Sequence, residues 1–377
     1  MYILNEQTLT SHIDQIAGYD LENKKIWGSA YHIFQKDQLC VEKCFGTLAG
    51  PGSSPILPST LFRLASMTKP VTAVAALILY DRGLLCLEDP VSKFLPEYTD
   101  IRILTSDGHD LGTPGTAPTI RHILTHSSGI GSEANKLSSM KASHKATLDA
   151  SVSFFLKNGL DFEPGSQQMY SGMGAFDVLT KIIETVSGMD YFRFLKQEIF
   201  DPCQMEDTVF VPDKEQLSRM ASMHTQENGQ NAAFPMPDNC VFEDFPCTHY
   251  VGGAGLASTL QNYSRFCQML LAHGVCKNQR LLSERAFLQF STPQISKTIM
   301  PGAEQWGLGV RVITDSQYPW LPVGTFGWSG AYGSHFWVDP QNEIYAVFLK
   351  NSKVDGGAGN QSARLLERAV YAPSVDL

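Results

Sequence analysis

Strand-like segments stand at both ends of the chain, and their separation limits the possible folds more than any other feature. "KKIWGSAYHIF" and "QLCVEKCFGTL" carry aromatic and β-branched residues around the polar turn Gln35–Gln38, the signal of a hairpin. Near the other end, "WGLGVRVI", "GSHFWVD" and "EIYAVFLKN" read as strands, the last two joined by the turn "DPQNE". Helical spacing fills the rest. "NEQTLTSHIDQIAGYD" should form a helix ending near Gly18. "IRHILTHSSGI" should be a short one closed by Gly129, and "GAFDVLTKIIETVSGMDYFRFLKQEIF" a pair broken at Ser187–Gly188. "ASTLQNYSRFCQMLLAHGV" is amphipathic with Ser258 or Thr259 as N-cap, and "NQSARLLERAVY" ends the chain as a helix. One sheet must then be assembled from both termini, with a helical insertion between them. The expected class is α/β plus all-α. Residues 1–86 and 251–377 would make the α/β domain and 87–250 a mainly helical one.

Composition narrows the function. The net charge is −9 with no basic run, which argues against nucleic acid or an anionic membrane as partner. The longest apolar segment, "VTAVAALILY", is half of the roughly 20 residues a membrane span needs. "MYILNEQTLTSHIDQ" lacks a basic stretch followed by an apolar one, so no signal peptide is read and a cytoplasmic location is expected. The eight cysteines would then remain thiols. Cys40 and Cys44 flank "VEK" on a strand, where even spacing puts both on one face, as core thiols or, less simply, a zinc pair. There is no H-E-x-x-H and no C-x-x-C, and neither metal nor cofactor is expected.

Chemistry concentrates in "FRLASMTKPVTAVAALILYDRG". Ser66 and Lys69 lie three residues apart, on one helix face. Pro70 restricts them to the helix's first turn, so the helix begins near Ser66. A serine there sits at the positive end of the helix dipole, among free N–H groups that favour an adjacent oxyanion. Its hydroxyl needs a base, and a lysine serves when burial disfavours its charged form. A capping serine with a snorkelling lysine is the plainer reading. A second S-x-x-K, Ser138 to Lys141, falls in a polar lysine-rich segment with no apolar helix behind it.

Two further elements bear on this. In "FEPGSQQMYSGMGAFDVL", Tyr170 and Ser171 precede an amphipathic helix, where a phenol near an ammonium can relay a proton; a core tyrosine is the plainer reading. In "FGWSGAYGSHFWVDP", Trp328, Ser329, Gly330 and Ala331 precede a strand. Glycines there permit close backbone approach, and an N–H could serve as a second oxyanion donor.

These elements, in this order, resemble the serine β-lactamase and penicillin-binding-protein superfamily, above all class C β-lactamases and the related family VIII carboxylesterases and fungal acyltransferases. "LEDPVSKFLPEY", "IRHILTHSSGI", "IFDPCQMEDTVF" and "VGGAGLASTLQNYSRF" extend the resemblance over nearly the whole chain. It implies an antiparallel sheet built from both termini and flanked by helices, with the site between two domains. Ser66 would be the acylated nucleophile and Lys69 with Tyr170 the general-base pair. The backbone N–H groups of Ser66 and Ala331 would form the oxyanion hole, with Trp328, Ser329 and Gly330 binding substrate.

Two departures from the family pattern matter. Gly172 stands where β-lactamases carry the asparagine of Y-x-N. Trp328-Ser329-Gly330 replaces K-T-G, whose lysine meets a substrate carboxylate. Both point from anionic amides toward neutral, fairly apolar esters as small-molecule substrates, with broad specificity. Trp306, Trp320, Phe326 and Tyr332 are candidates for an acyl pocket or simply core. His335 is a candidate cleft residue or, more simply, a histidine satisfied within the sheet. The alternatives are a β-lactamase or D-Ala-D-Ala carboxypeptidase, and a catalytically silent binding protein on the same fold. An α/β-hydrolase is disfavoured, because "GWSGA" misplaces the glycines of G-x-S-x-G and precedes a strand.

Overall fold

The structure is a computed structural model and describes residues 2–140, 143, 147–227, 230–234, 249–357 and 359–372. Seven antiparallel strands form the main sheet, in the order Glu304–Trp306, Arg311–Ile313, Phe326–Ser329, His335–Asp339, Ile344–Lys350, Gly28–Gln35, Gln38–Gly46. The N-terminal hairpin joins the C-terminal strands through Gly28–Gln35, which pairs with Ile344–Lys350 from Ser29↔Lys350 to Gln35↔Ile344. The sheet is thus built from both termini, as expected.

Alternation along the strands gives the sheet two apolar faces. Trp337, Ile344, Ala346 and Phe348 pack with Ile13, Ile16, Leu366 and Val370 from the helices Glu6–Glu22 and Gln361–Tyr371. Phe336, Val338, Tyr345, Val347 and Leu349 face the opposite way, into a larger core. That core includes the helix Leu260–Leu271, capped by Thr259, whose hydroxyl accepts the Asn262 N–H. It also includes the helix Thr68–Asp81, buried continuously from Thr68 to Leu79. An apolar helix without a polar face belongs inside.

Several expectations need correction. The first helix runs past Gly18 to Glu22. "WGLGVRVI" is not one strand: Gly307–Val310 interrupts it, and Trp306 pairs back with Arg311 as a hairpin. Cys40 and Cys44 do not share a face. A register shift sets Ile33 opposite Val41 but Phe34 opposite Leu39, leaving Cys40 as the extra residue of a bulge. Cys40 therefore packs against the N-terminal-helix side and Cys44 against the larger core, which separates the supposed zinc pair. Burial pushes the Cys44 thiol up to about 11. Cys240, Cys247 and Lys141 lie outside the described residues.

Candidate active site

Ser66 sits on a single 3-10 turn, Ala65–Met67, leading directly into the helix Thr68–Asp81. Three hydrogen bonds fix this junction. The Leu64 N–H donates to Leu256 O at 2.9 Å, Tyr263 OH to Met67 O at 2.9 Å, and the Leu256 N–H to Thr68 Oγ1 at 3.1 Å. Ala65 is held at φ +45°, a conformation costly for a residue with a Cβ, which turns the chain sharply just before the serine.

Lys69 is wholly buried. Its Nζ donates to Gly172 O at 2.7 Å and Gly253 O at 2.8 Å, and lies 3.4 Å from Ser66 Oγ. A neutral amine has two N–H bonds and one lone pair. In that form the two carbonyls would take the N–H groups and the lone pair would face the serine hydroxyl. The same nitrogen lies 4.8 Å from the Tyr170 ring centroid. Tyr170 OH accepts from Trp328 Nε1–H at 3.4 Å. The serine, lysine, tyrosine and tryptophan singled out in the sequence are therefore neighbours.

Gly330 has a packing reason. A Cβ there would stand 2.4 Å from the Leu64 carbonyl oxygen. Its absence lets the end of Phe326–Ser329 lie against the residues leading into Ser66, and Ala331 lines one cavity with Ser66. The Ser66 N–H belongs to a first helical turn, where such groups have no partner within the helix. Gly172 contributes its carbonyl to Lys69, and a Cβ on it would meet nothing within 4 Å.

The cavity measures about 420 Å³ and has Tyr170, Met300, Trp306 and Trp328 as its apolar lining beside Ser66. Trp306 was a pocket candidate and is one of the lining residues. Phe326 instead packs against Phe287 and Phe290 in the core, Trp320 against the terminal-helix side of the sheet, and Tyr332 against a small cluster around Ala65. Ser329 lines the cavity, and behind it His335 is buried with both ring nitrogens engaged. Arg311 and Glu304 also reach the cavity, paired to each other at 2.8 Å.

The sequence reading assigned no role to His126. Its Nδ1 accepts the Ser171 N–H at 3.1 Å, and its carbonyl accepts the Met169 N–H at 2.9 Å. The ring lies 4.5 Å from Tyr170 and 4.4 Å from Trp306. His126 thus holds the backbone on both sides of Tyr170. Burial first, and then the charge of Lys69, push its pKa well below the usual imidazole range. Nothing adjacent in the sequence marks it; it stands within "THSSG", and the structure holds it at φ +54°.

Comparison with known proteins identifies the family. Residues 13–370 match the family described as Beta-lactamase. Esterase EstB of Burkholderia gladioli is 27% identical, covering 98% of this chain and 97% of that one. The D-alanyl-D-alanine-carboxypeptidase/endopeptidase AmpH of Escherichia coli is 26% identical, over 89% of this chain and 82% of its own. In fold, the chain is similar to EstCE1, described as a hydrolase with promiscuous acyltransferase activity. That likeness has a TM-score of 0.81 and 22% identity over 97% of this chain and 99% of that one. No helix of the described residues is long and apolar enough to cross a membrane. The chain belongs to the β-lactamase family and is a serine hydrolase of that family.

Proposed function

We propose that the protein is a carboxylesterase, with transesterase capacity, acting through an acyl-enzyme on Ser66 with neutral, fairly apolar esters. The observation that carries this reading is the cavity lining. Trp328 occupies the place where family β-lactamases present a lysine to a substrate carboxylate, and with Trp306, Tyr170 and Met300 it makes the wall beside Ser66 apolar. The one arginine among the lining residues is already paired with Glu304 and Glu367. An apolar wall without an available cation favours an uncharged acyl group. The resemblance to EstB in length and sequence supports the same choice.

In the first step Ser66 Oγ bonds to the ester carbonyl carbon and its proton passes to Lys69 Nζ. The oxyanion is stabilised by the N–H groups of Ser66 and Ala331. The carbon–oxygen bond to the alcohol then breaks, and the alcohol leaves with a proton delivered through Tyr170. Water or a second alcohol attacks the acyl-serine, gives its proton to the same pair, and frees Ser66.

The test is a paired assay of p-nitrophenyl butyrate and a chromogenic cephalosporin, with Ser66→Ala as control. Ester turnover should exceed cephalosporin turnover and vanish in the variant. Faster cephalosporin turnover would make the protein a β-lactamase or peptidase. Intact-mass labelling with a serine-reactive phosphonate should add one adduct, at Ser66. A protein that gains none there is a binding protein.

A further inference from the structure

Behind the cavity wall three buried groups stand in a row that the mechanism above does not use. Ser329 Oγ lies 2.7 Å from His335 Nδ1, and His335 Nε2 lies 2.9 Å from Glu367 Oε1. Glu367 comes from the C-terminal helix and is fully buried. It also accepts from Arg311 at 2.8 Å, Tyr318 OH at 2.9 Å and Arg364 at 3.0 Å. Burial opposes its charge, but the hydrogen bond from His335 and the charge of Arg311 prevail and hold the carboxyl down at about 2.

The direction of each hydrogen bond follows. An ionised carboxylate only accepts, so His335 Nε2 carries the hydrogen. With the ring neutral, Nδ1 is a lone pair, and the Ser329 hydroxyl then donates to it. Its single hydrogen is spent inward, and its lone pairs are what remain for an occupant of the cavity. Arg311, the nearest cation in the lining, is held by Glu304 and Glu367 and does not offset this.

We propose that the Ser329–His335–Glu367 relay fixes Ser329 as a hydrogen-bond acceptor that holds the O–H or N–H of an uncharged acyl acceptor beside the acylated Ser66. His335 is a positioning residue acting through Ser329. The inference rests on the esterase reading and adds the second substrate to it: a neutral alcohol or amine, selected over a carboxylate-bearing one. Before attack the O–H or N–H rests on Ser329; in the step itself that hydrogen turns from Ser329 to the Lys69–Tyr170 pair, which takes the proton as the acceptor oxygen or nitrogen bonds to the acyl carbon. The bond to Ser66 Oγ breaks, and the serine regains a proton from that pair.

The experiment uses p-nitrophenyl butyrate as donor and 1-butanol as acceptor, and measures butyl butyrate against free butyrate. That ratio is set after acylation and is independent of how fast acylation runs. Ser329→Ala and His335→Leu should each lower the ratio about tenfold, the weight of one well-placed hydrogen bond. His335→Gln offers both an amide donor and an amide acceptor and should stay within about threefold of the parent, a rescue that packing alone would not give. In the unmodified protein, replacing butanol by lactate should also lower the transferred fraction. An unchanged ratio in Ser329→Ala, or equal losses in the Gln and Leu variants, overturns the relay while leaving the esterase reading intact. Absence of p-nitrophenol release from the unmodified protein overturns both.

Discussion

Among the described residues Lys69 meets carbonyl and hydroxyl oxygens but no carboxylate. A carboxylate would tie the amine to its charged form, whereas two carbonyls are served by either form. Lys69→Ala should lower kcat for p-nitrophenyl butyrate by about 10²–10⁴, the range for loss of a general base. It also leaves the Gly172 and Gly253 carbonyls without their donor, so a melting curve must accompany the assay; near-full activity would reject the base assignment. Gly172 invites a second substitution. Because a Cβ there has open space, Gly172→Asn should fold normally and restore the amide-binding side chain of Y-x-N. Turnover of the cephalosporin relative to the ester should rise about tenfold, one added hydrogen bond's worth. No rise would show that the missing asparagine does not decide substrate class. Ser66, Lys69 and Tyr170 could be picked out because each stands at a local discontinuity, a helix start after a polar cluster or a loop-to-helix junction. His126 could not, since its importance comes from touching Tyr170 and Trp306, and nothing adjacent in sequence marks a ring packed beneath a distant phenol.

At the level of elements, the strands and long helices could be read in advance where a period was strong and unbroken. Ile344–Lys350 and His335–Asp339 alternate cleanly between two cores, and Leu260–Leu271 follows a capping threonine. Cys40 and Trp306 mark where that reading ended. A bulge adds one residue without changing the apolar pattern much, and a tight reversal at Gly307–Val310 looks the same as a continuous strand. Both are decided by tertiary pairing. The docking of Phe326–Ser329 onto the residues before Ser66 is another such case, because it depends on the missing Cβ of Gly330. Gly330→Ala should force the Leu64 carbonyl aside and destabilise the protein by about 1–3 kcal/mol, as overpacking does. The same displacement moves Ala331 relative to Ser66, so kcat should fall more than KM rises. Urea unfolding together with steady-state kinetics checks both, and a stable, fully active variant would mean that this contact does not set the oxyanion geometry.

Over the whole molecule, acid stability brings together the two buried groups that the sequence did not single out for a role. His126 has a folded pKa well below the usual value, so below about pH 6.5 only the unfolded chain takes up its proton. Its contribution therefore costs stability progressively as the pH falls from about 6.5. Glu367 acts in a lower window. Its carboxyl is held at about 2 against an ordinary 4.5, so the stability it supplies is complete above the ordinary value and lost as the pH falls through about 2. Asp20 opposes both, since burial raises its pKa and the folded state takes up a proton first. Melting temperature against pH should thus decline in two stages. His126→Asn suits the left-handed backbone at that position and keeps an acceptor for the Ser171 N–H while removing the titration. The gap between parent and His126→Asn should be constant above about pH 6.5 and change progressively as the pH falls below it, toward the depressed folded pKa. For Glu367→Gln the gap should be constant down to about pH 4.5 and close toward pH 2. Curves for parent and variant that run parallel across these windows would mean that the group titrates alike in the folded and unfolded chains. For Glu367, that result would also remove the ionised carboxylate on which the direction of the Ser329 hydrogen bond depends.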